Sequence, residues 1–383
     1  MEREKGAIRN VLSYNMPDQS ITRQTWRRLK KNKGAVFGLI VIILSCIIAI
    51  FAYLIAPDNT PNADLQTVEI QAKRPGFQQT FLQIYDNKKN TTSWVAGFLY
   101  GYPANYKLLP IAGEVKKNST GDSLIVNKYV DEDTSIVQSF ALKGILSPEQ
   151  STHNANYVVT RKYWLGTDRF GRDILSRLVV GTRVSLAVGL IAVLISLTLG
   201  ILLGALAGYF RGWIDEVIMW LVNVTWSIPT LLLVFAITLA MGKGFWQIFI
   251  AVGLTMWVSV ARLVRGQVMA IKELEYVQAA KALGLTNSRI ILRHILPNIS
   301  GPMMVIAAGN FATAIIIEAG LSFLGIGVQP PQPSWGLMIK ENYNFIIMHN
   351  PMLALIPGFA IMLLVLAFNL LGNGLRDAFD VKQ

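Results

Sequence analysis

Polar side chains inside long apolar runs are the residues of this sequence best placed to act on a solute. The clearest are Asn223, Asn310, Glu318 and Asn369. Such side chains are costly to bury in a membrane and therefore indicate a pathway or a proton relay. We take Asn310 and Glu318 as candidates for a pathway or gate, and Glu318 as the candidate relay. Glu318 lies about 24 Å along its predicted helix from Pro302, which favours a carboxylate that reaches water or caps the adjoining loop.

Motifs for nucleotide, metal and covalent chemistry are missing from the sequence. The three histidines, His153, His294 and His349, are too scattered to predict a zinc site. There is no Gly-Lys-Ser/Thr, G-x-S-x-G or H-E-x-x-H, and the Gly242-Lys243 pair is followed by another glycine. We therefore expect no enzyme activity, metal or cofactor in this chain, and we expect the energy for its work to come from elsewhere.

The composition is typical of an integral membrane protein. Of 383 residues, 52% are hydrophobic and only 15% are charged, which is too apolar for an ordinary soluble domain. The net charge of +12 comes from basic residues that flank the apolar runs, without the aromatic and basic patch of a nucleic-acid-binding protein. The single cysteine, Cys46, lies in an apolar run, so neither a disulfide nor a thiolate metal site is expected. Membrane lipid, and not nucleic acid, is the expected environment.

Six apolar runs are each near or above the ~20 residues that a helix needs to cross a bilayer. They are Gly34–Ala56, Val184–Gly208, Val217–Met241, Phe245–Leu263, Gly301–Gly325 and Pro351–Leu371. Basic residues crowd the segment before the first run, which predicts a cytoplasmic N-terminus, and six spans return the C-terminus to the cytoplasm. A cleaved signal peptide is the alternative, but the first run is longer than its ~7–15-residue apolar region. Pro229 and Pro357 predict kinks within spans.

The segment from Pro57 to Tyr163 is more polar and contains short apolar runs such as SLIVNKYV and YVVTRKYW, which are typical of strands. The first span would place it outside the cytoplasm. We expect a small β-rich or mixed domain; a loosely ordered loop is the alternative, which the Trp, Tyr and Phe content disfavours. Further along, the proline-rich stretch Val328–Ile339 predicts a rigid outer loop and no helix.

The stretch LGTDRFGRDILSRLVVGTRVSL precedes the second span and predicts an interfacial helix that lies on the membrane. Thr167 would cap this helix. The predicted apolar face carries Phe170, Ile174, Leu175 and Leu178, and the polar face Arg169, Arg172, Asp173, Ser176 and Arg177. The candidate residues of this outer interfacial motif are Gly166, Thr167, Asp168, Gly171, Arg172 and Asp173.

The longest predicted cytoplasmic loop contains EYVQAAKALGLTNSRIILRHILPN, from Glu275 to Asn298. It predicts two short helices broken at Gly284, with small residues that allow close approach of a partner. Asn287 or Ser288 would cap the second helix, and Pro297 would end it. The residues on one face of that second helix are Ile290, Ile291, His294 and Ile295.

Three stretches together resemble the inner-membrane permease subunits of binding-protein-dependent ABC importers, specifically the C-type permease of the oligopeptide/dipeptide/nickel branch. They are LGTDRFGRDILSRLVVGTRVSL, EYVQAAKALGLTNSRIILRHILPN and IIIEAGLSFLGIGVQPPQPSWG. The resemblance covers roughly residues 20–56 and 160–380. It implies an all-α polytopic membrane protein with six transmembrane helices and a cytoplasmic coupling loop, to which this chain adds an extracytoplasmic β-rich or mixed insert.

The loop from Glu275 to Asn298 resembles the EAA loop of that family, which docks on the cytoplasmic ATPase. Gln278 stands where the family has Glu, and His294 replaces an Ile, so no salt bridge is expected from residue 278. The ATPase-coupling residues implied by the resemblance are Glu275, Gln278, Ala279, Ala280, Gly284, Leu296 and Pro297.

The resemblance also implies the partners and the layout of the chain. The partners are a second homologous permease subunit, two cytoplasmic ATPase subunits that hold ATP and Mg, and an extracytoplasmic solute-binding protein. The expected segments are 1–33 as a cytoplasmic N-terminal segment, 34–56 as the first transmembrane helix, 57–163 as the extracytoplasmic insert, and 164–383 as the permease core with five transmembrane helices and the coupling loop at 264–300. The long insert departs from the family, where this outer loop is much shorter.

Three functions remain open from the residues alone. The first is a translocation subunit of an ATP-driven importer for peptides or related solutes in the bacterial inner membrane. The second is a proton-coupled secondary carrier that acts without an ATPase. The third is an adhesion or scaffold protein built around the outer insert. The identity of the solute is not encoded in any motif.

Overall fold

Helices dominate this computed structural model, which describes residues 21–85, 92–118, 123–141, 157–242, 244–347 and 350–380. Residues 1–20, His153, Lys243 and His349 lie outside the described part. The helices are α1 (Ile21–Lys31), α2 (Lys33–Ile50), α3 (Ala52–Ile55), α4 (Trp94–Tyr100), α5 (Ile174–Phe210), α6 (Gly212–Ser227), α7 (Thr230–Met241), α8 (Phe245–Lys272), α9 (Glu275–Ala282), α10 (Asn287–Ile290), α11 (Ser300–Leu324), α12 (Trp335–Asn342) and α13 (Met352–Phe379). The strands are β1 (Phe77–Tyr85), β2 (Tyr106–Ile111), β3 (Lys116–Lys117), β4 (Ser123–Tyr129), β5 (Ser135–Ala141) and β6 (Val158–Tyr163).

Within the described part of the chain, five helical segments are long and apolar enough to cross a membrane. They are α2, α5, α8, the continuous segment from α10 through α11, and α13. The pair α6 and α7 makes a sixth if it is counted as one span. The predicted helical membrane fold with a β-rich insert is therefore confirmed, and the third predicted span is the broken one.

The break between α6 and α7 lies at Ile228 and Pro229, where the two helix axes are bent by 95°. Ile228 is extended, with φ −94° and ψ 128°, as expected for a residue before proline. Pro229 therefore separates two helices, a far larger effect than the predicted kink. Pro357, by contrast, lies inside α13 without ending it.

A row of glycines on α5 brings this helix into close contact with α8. An added Cβ at Gly204 would lie 2.5 Å from the carbonyl oxygen of Ala261, and Gly200 and Gly208 are equally crowded by Val260 and Arg265. Small residues at every fourth position allow membrane helices to pack backbone against backbone. Since the contacts advance together along both helices, α5 and α8 run parallel.

The bundle has two distinct ends. The described residues between 57 and 163, with the sheet, lie at one end, which we call the insert end. The segment between α8 and α11 lies at the other, which we call the loop end. Helix α11 runs from the loop end to the insert end, and α13 returns antiparallel to it, with Gly301 packed on Phe379 and Gly372 next to Ala308.

The insert contains an antiparallel sheet in the order β3-β4-β2-β1-β6, with β5 also paired to β4. Alternate residues of β4, Leu124 and Val126, are buried together with Leu82 and Ile111, which is the period-two pattern of a strand with one buried face. Strand β6 leads directly into the loop before α5, so the sheet is attached to the bundle at the predicted motif.

The predicted interfacial helix beginning at Thr167 is wrong. Gly166 and Gly171 have φ of +82° and +73°, a conformation that interrupts an α-helix. The helix begins only at Ile174, where Asp173 caps it by accepting a hydrogen bond from the backbone N–H of Ser176. It then continues for 37 residues as α5, so its first turns belong to a spanning helix and do not lie on the membrane.

The prediction that Val328–Ile339 contains no helix is correct only for its first half. The prolines end at residue 333, and α12 begins at Trp335. Ser334 caps this helix, because its Oγ accepts a hydrogen bond from the backbone N–H of Leu337 at 3.1 Å.

Candidate functional site

The segment from Glu275 to Asn298 forms a folded projection at the loop end. Helix α9 ends before Gly284, which has φ +77°, and α10 begins at Asn287. The prediction of two helices broken at this glycine is confirmed. Glycine suits the position because the left-handed conformation strains residues that carry a Cβ.

One face of the projection is anchored to the spanning helices. Val277 and Ala280 are buried in one cluster with Ile290, Ile295 and Ile299. The same cluster includes Val264 and Val268 of α8, and Leu296 packs against it. Since side chains in a close-packed cluster transmit displacement, a force on this projection acts directly on α8 and α11.

The other face of α9 is free in this chain. Glu275, Gln278 and Ala279 are exposed, and Leu283 is 80% exposed. An added Cβ at Gly284 would meet no atom within 4 Å. A backbone that is open at a glycine and an apolar side chain without a partner suit a protein that packs closely against this face.

Hydrogen bonds brace the projection. The Tyr209 hydroxyl donates to Asn287 Oδ1 at 2.8 Å, and Lys272 Nζ donates to the Tyr209 carbonyl at 2.7 Å. Gln278 Nε2 donates to the Lys272 carbonyl at 2.8 Å. Residue 278 therefore carries a neutral contact to the end of α8, which accounts for glutamine at a position where the family motif has a charge.

Three expectations about this segment are wrong. The residue that caps α10 is Thr286, and its side chain makes no capping hydrogen bond. Pro297 does not end the helical path: the chain continues as a π-helical turn (Ile291–Ile295) and a 3-10 turn (Leu296–Ile299) into α11, because proline near the start of a turn has no N–H bond to lose. Ala280 faces this chain's own core and not a partner.

At the insert end, the residues of the outer interfacial motif form a tight loop instead of a helix face. Asp168 Oδ1 accepts hydrogen bonds from the backbone N–H groups of Phe170 and Arg172 at 2.9 and 3.0 Å. The Thr167 hydroxyl donates to the Ile70 carbonyl and accepts from the Lys73 N–H. An added Cβ at Gly171 would overlap the Thr67 carbonyl oxygen at 1.7 Å. The motif thus joins the insert to the bundle.

A buried charge cluster surrounds this loop and was not predicted. Arg172 is 2% exposed and contacts Asp168 at 2.6 Å, Glu341 at 2.6 Å and Asp64 at 3.1 Å. Arg177 is also buried and lies 3.4 Å from Glu341 and 3.8 Å from Asp64 and Asp168. Both arginines were expected on a solvent-facing helix surface, but the insert and α12 cover them.

The electrostatics of this cluster follow from its burial. Burial disfavours the charge on Arg172, but the carboxylates of Asp168 and Glu341 outweigh it and raise the pKa of Arg172 above its usual value. Burial raises the pKa of Asp173, even though Ser176 donates hydrogen bonds to this carboxylate. Paired in this way, Arg172 stays charged and holds three separate segments together.

Glu318 supports the adjoining loop at the insert end and does not reach water. It is 1% exposed, and its Oε1 accepts a hydrogen bond from the Ser322 hydroxyl at 2.7 Å. Ser322 Oγ in turn accepts from the backbone N–H of Val328 at 3.0 Å, and Ser334 also hydrogen-bonds to Glu318. The expected exposure of Glu318 to water is wrong, whereas capping of the adjoining loop stays a prediction, which the contacts with Ser322 and Ser334 favour.

Asn310 lies elsewhere, so the structure does not bring the two pathway candidates together. Asn310 and Asn369 line a cavity of about 530 Å³ between α11 and α13 that extends to Arg376 and Asp380 at the loop end. Asn310 Nδ2 lies 3.5 Å from Ser196 Oγ on α5. Around Asn310 and Asn369 the cavity combines amide groups with apolar walls, and its loop end adds the charged side chains of Arg376 and Asp380.

Sequence reasoning missed Asp64, Glu341 and Leu283. Asp64 and Glu341 lie far from Arg172 along the chain, so no spacing rule pairs them. Leu283 looks like one more apolar residue of α9, and only the tertiary packing leaves it exposed. The Gly200, Gly204 and Gly208 repeat was a readable signal, since glycine at every fourth position is typical of close helix packing in membranes.

Comparison with known proteins adds independent findings. Residues 200–383 match the family described as the binding-protein-dependent transport system inner membrane component. Residues 20–71 match the N-terminal TM domain of oligopeptide transport permease C.

Named relatives agree with these matches. The chain is 42% identical to the dipeptide transport system permease protein DppC of Alkalihalophilus pseudofirmus, over 67% of this chain and 87% of the relative. It is 44% identical to the glutathione transport system permease protein GsiD of Pectobacterium atrosepticum, over 57% of this chain and 73% of the relative. A solved inward-facing MetNI methionine ABC transporter aligns with 53% of this chain at 19% identity and a TM-score of 0.44.

Sequence identity above 40% over most of a relative's length establishes common descent. The predicted resemblance is therefore confirmed, as are the absence of an enzyme activity and of a cofactor of its own. The chain belongs to the binding-protein-dependent transport system inner membrane components, and it is a multi-pass permease subunit of an ABC importer that works with ATPase and binding-protein partners.

Proposed function

We propose that this permease imports short peptides or related solutes, with the projection Glu275–Asn298 as the contact that couples it to its ATPase. The observation that carries the coupling role is the two-sided character of α9. One face is packed on α8 and α11, while the other presents Leu283, Ala279 and the open backbone of Gly284. A short helix of this kind fits a groove and passes rigid-body motion to the helices behind it.

The peptide class is supported by the relatives and by the cavity. The relatives named above are dipeptide and glutathione permeases, and both of those solutes contain amide bonds. Asn310, Asn369 and Asn373 offer amide groups in the cavity between α11 and α13, and amides pair well with a peptide backbone. We assign Asn310 to the path of the solute and Glu318 to the support of the loop at the insert end.

The assembly we propose contains a second, homologous permease subunit and two ATPase subunits. The two permeases would enclose the path, and ATP binding would close the ATPases and switch its accessibility. In this arrangement the loop end and both termini lie in the cytoplasm, residues 57–163 form an extracytoplasmic insert, and residues 264–300 form the coupling region. The binding protein would deliver the solute from the insert side.

A proton-coupled carrier is disfavoured by the surroundings of Glu318. Its described partners are Ser322, one turn further along α11, and Ser334, at the end of the loop that it supports. A relay group has to exchange its proton with a pathway, whereas Glu318 is buried and does not line the cavity at Asn310.

The test is transport by the complete complex in sealed vesicles. We expect peptide uptake to require ATP and the binding protein, ATP hydrolysis to rise when both binding protein and peptide are present, and uptake to persist when a protonophore collapses the proton gradient. Uptake that fails with the protonophore but proceeds without ATP would contradict the proposal. A panel of di- to pentapeptides, glutathione and a nickel chelate would identify the solute by competition.

A further inference from the structure

Helix α4, Trp94–Tyr100, carries an apolar face that this chain leaves open. Trp94 is 70% exposed, and Val95 and Leu99 are exposed beside it. Phe98 lies between them and stacks on Trp94 with ring centroids 5.9 Å apart. On the opposite side, Gly97 is buried and its Cα packs against the ring of Tyr102. Helix α4 therefore packs against the insert through the face that contains Gly97, and the face that contains Trp94, Val95 and Leu99 is exposed.

Two contacts fix the depth of α4 relative to the membrane. The ring of Phe98 meets Phe51, the residue that follows α2, at 6.1 Å between centroids. Arg183 on α5 donates a hydrogen bond from Nη1 to the Leu99 carbonyl at 2.8 Å. The part of α5 from Arg183 to Phe210 is roughly 40 Å long, which matches the ~40–45 Å of a bilayer with its headgroups. With Phe210 at the opposite surface of the bilayer, this length places Arg183, and α4 with it, at the surface on the insert end.

The open face of α4 continues the exposed apolar surface of the first span. Ile47, Ile50 and Leu54 are all exposed on the helices that end beside α4. The α4 sequence WVAGFLY contains no charged residue and has Trp and Tyr at its two ends. Trp and Tyr are enriched at the boundary between headgroups and acyl chains, where an aromatic ring is in apolar surroundings and its polar atom meets water.

We propose that α4 is an interfacial helix that inserts its Trp94, Val95 and Leu99 side chains into the membrane surface and holds the β insert against the bilayer. The occupant of this face is lipid at the headgroup boundary. A protein partner is disfavoured because the face is continuous with the exposed apolar surface of α2 and has no charged residue of its own on α4. The insert then has a second attachment to the membrane, in addition to the charge cluster at Arg172.

The experiment places a nitroxide spin label at Val95→Cys or Leu99→Cys in a Cys46→Ser background. The full chain is assembled with its partner subunits in vesicles of phosphatidylethanolamine and phosphatidylglycerol. Collision of the label with oxygen, which concentrates in lipid, is compared with collision with a water-soluble nickel chelate. The matched control is Val137→Cys on β5, another exposed valine of the insert, which is remote from α4 along the chain.

We expect labels at residues 95 and 99 to have an oxygen-to-nickel collision ratio several-fold higher than the label at residue 137. Equal ratios at all three sites would place α4 in water and overturn the proposal. Labels at residues 95 and 99 that are shielded from both reagents would show that a protein covers the face, and this result would also overturn it. Because all three side chains are exposed, none of the substitutions removes a core contact.

Discussion

Single residues at the insert end hold segments that are distant in sequence. Arg172 bridges the motif loop, the insert through Asp64, and α12 through Glu341. A buried ion pair of this kind adds little net stability compared with a well-packed apolar group, but loss of one partner leaves the others charged and unpaired. The cluster therefore makes the attachment of the insert specific, and removal of one of its members should destabilise the protein strongly.

Arg172→Met should destabilise the protein strongly, because Asp168 and Glu341 would remain buried without their main counter-charge. Loss of one partner from a buried ion pair costs roughly 3–5 kcal/mol. The control is Arg169→Met on the same loop, whose side chain is exposed and should have little effect. Thermal unfolding of the purified protein in detergent measures both. Equal melting temperatures for the two variants would contradict the role assigned to the cluster.

Substitution of Gly171 or Gly113 by alanine separates two causes of lost stability, which are a strained backbone conformation and a steric clash of the added Cβ. Gly171 and Gly113 both have positive φ, but an added Cβ meets the Thr67 carbonyl oxygen only at Gly171. Gly113→Ala should lower the free energy of unfolding by about 1–2 kcal/mol. Gly171→Ala should also displace the loop and should therefore lower the free energy of unfolding by more. The ratio of folded to aggregated protein after purification, with thermal unfolding, measures the difference. Equal destabilisation by the two variants would contradict the close contact between Gly171 and the Thr67 carbonyl oxygen.

At the scale of elements, the projection Glu275–Asn298 combines rigidity with an open face. Helix α9 contributes Val277 and Ala280 inward, and the remaining residues form a surface that nothing in the described chain covers. The bent pair α6 and α7 is the opposite case, since Pro229 separates two apolar helices that pack on the bundle over only part of their surfaces. The first element suits a coupling contact, and the second suits a segment that meets another subunit or lipid.

Leu283→Glu should reduce binding of the ATPase without loss of fold, since the side chain is exposed and touches no core residue. A carboxylate placed in an apolar groove is unfavourable unless it finds a partner. Val137→Glu on the insert is the control, because Val137 is 68% exposed at the other end of the molecule. Co-purification of the ATPase and binding-protein-stimulated ATP hydrolysis should fall for the first variant only. Normal ATPase binding by Leu283→Glu would exclude α9 as the docking helix.

At the scale of the whole molecule, the insert and the projection lie at opposite ends of one bundle. The parallel pair α5 and α8 and the antiparallel pair α11 and α13 both connect these ends. Movement of the projection can therefore reach the insert end through helices that run the full length of the molecule. Once one end of the bundle is assigned to a side of the membrane, this arrangement assigns the other end to the opposite side.

Labelling from one side of the membrane tests the proposed orientation. In a Cys46→Ser background, a cysteine at residue 137 should react with a membrane-impermeant maleimide on intact spheroplasts. A cysteine at residue 283 should react only after the membrane is permeabilised. Both native side chains are highly exposed, so accessibility reports the side and not burial. The reverse pattern would invert the orientation of every segment.

The sequence by itself determined the class of protein, the number of apolar runs, the β-rich character of the insert and the family. These depend on composition, periodicity and local motifs, which are properties of neighbouring residues. It also located the break at Gly284, because a left-handed turn between two helices strongly favours glycine.

Only the tertiary structure decided which side chains are buried and which are free. Arg172 and Arg177 lie on a predicted polar helix face, but the insert and α12 cover them, and two of their partners, Asp64 and Glu341, are more than a hundred residues away in the chain. Glu318 supports a loop because folding brings Ser334 of the following segment next to it, and Leu283 is open because the core of the projection is already filled by Val277 and Ala280. Contacts between segments that are distant in sequence depend on packing of the whole chain, and no local pattern contains them.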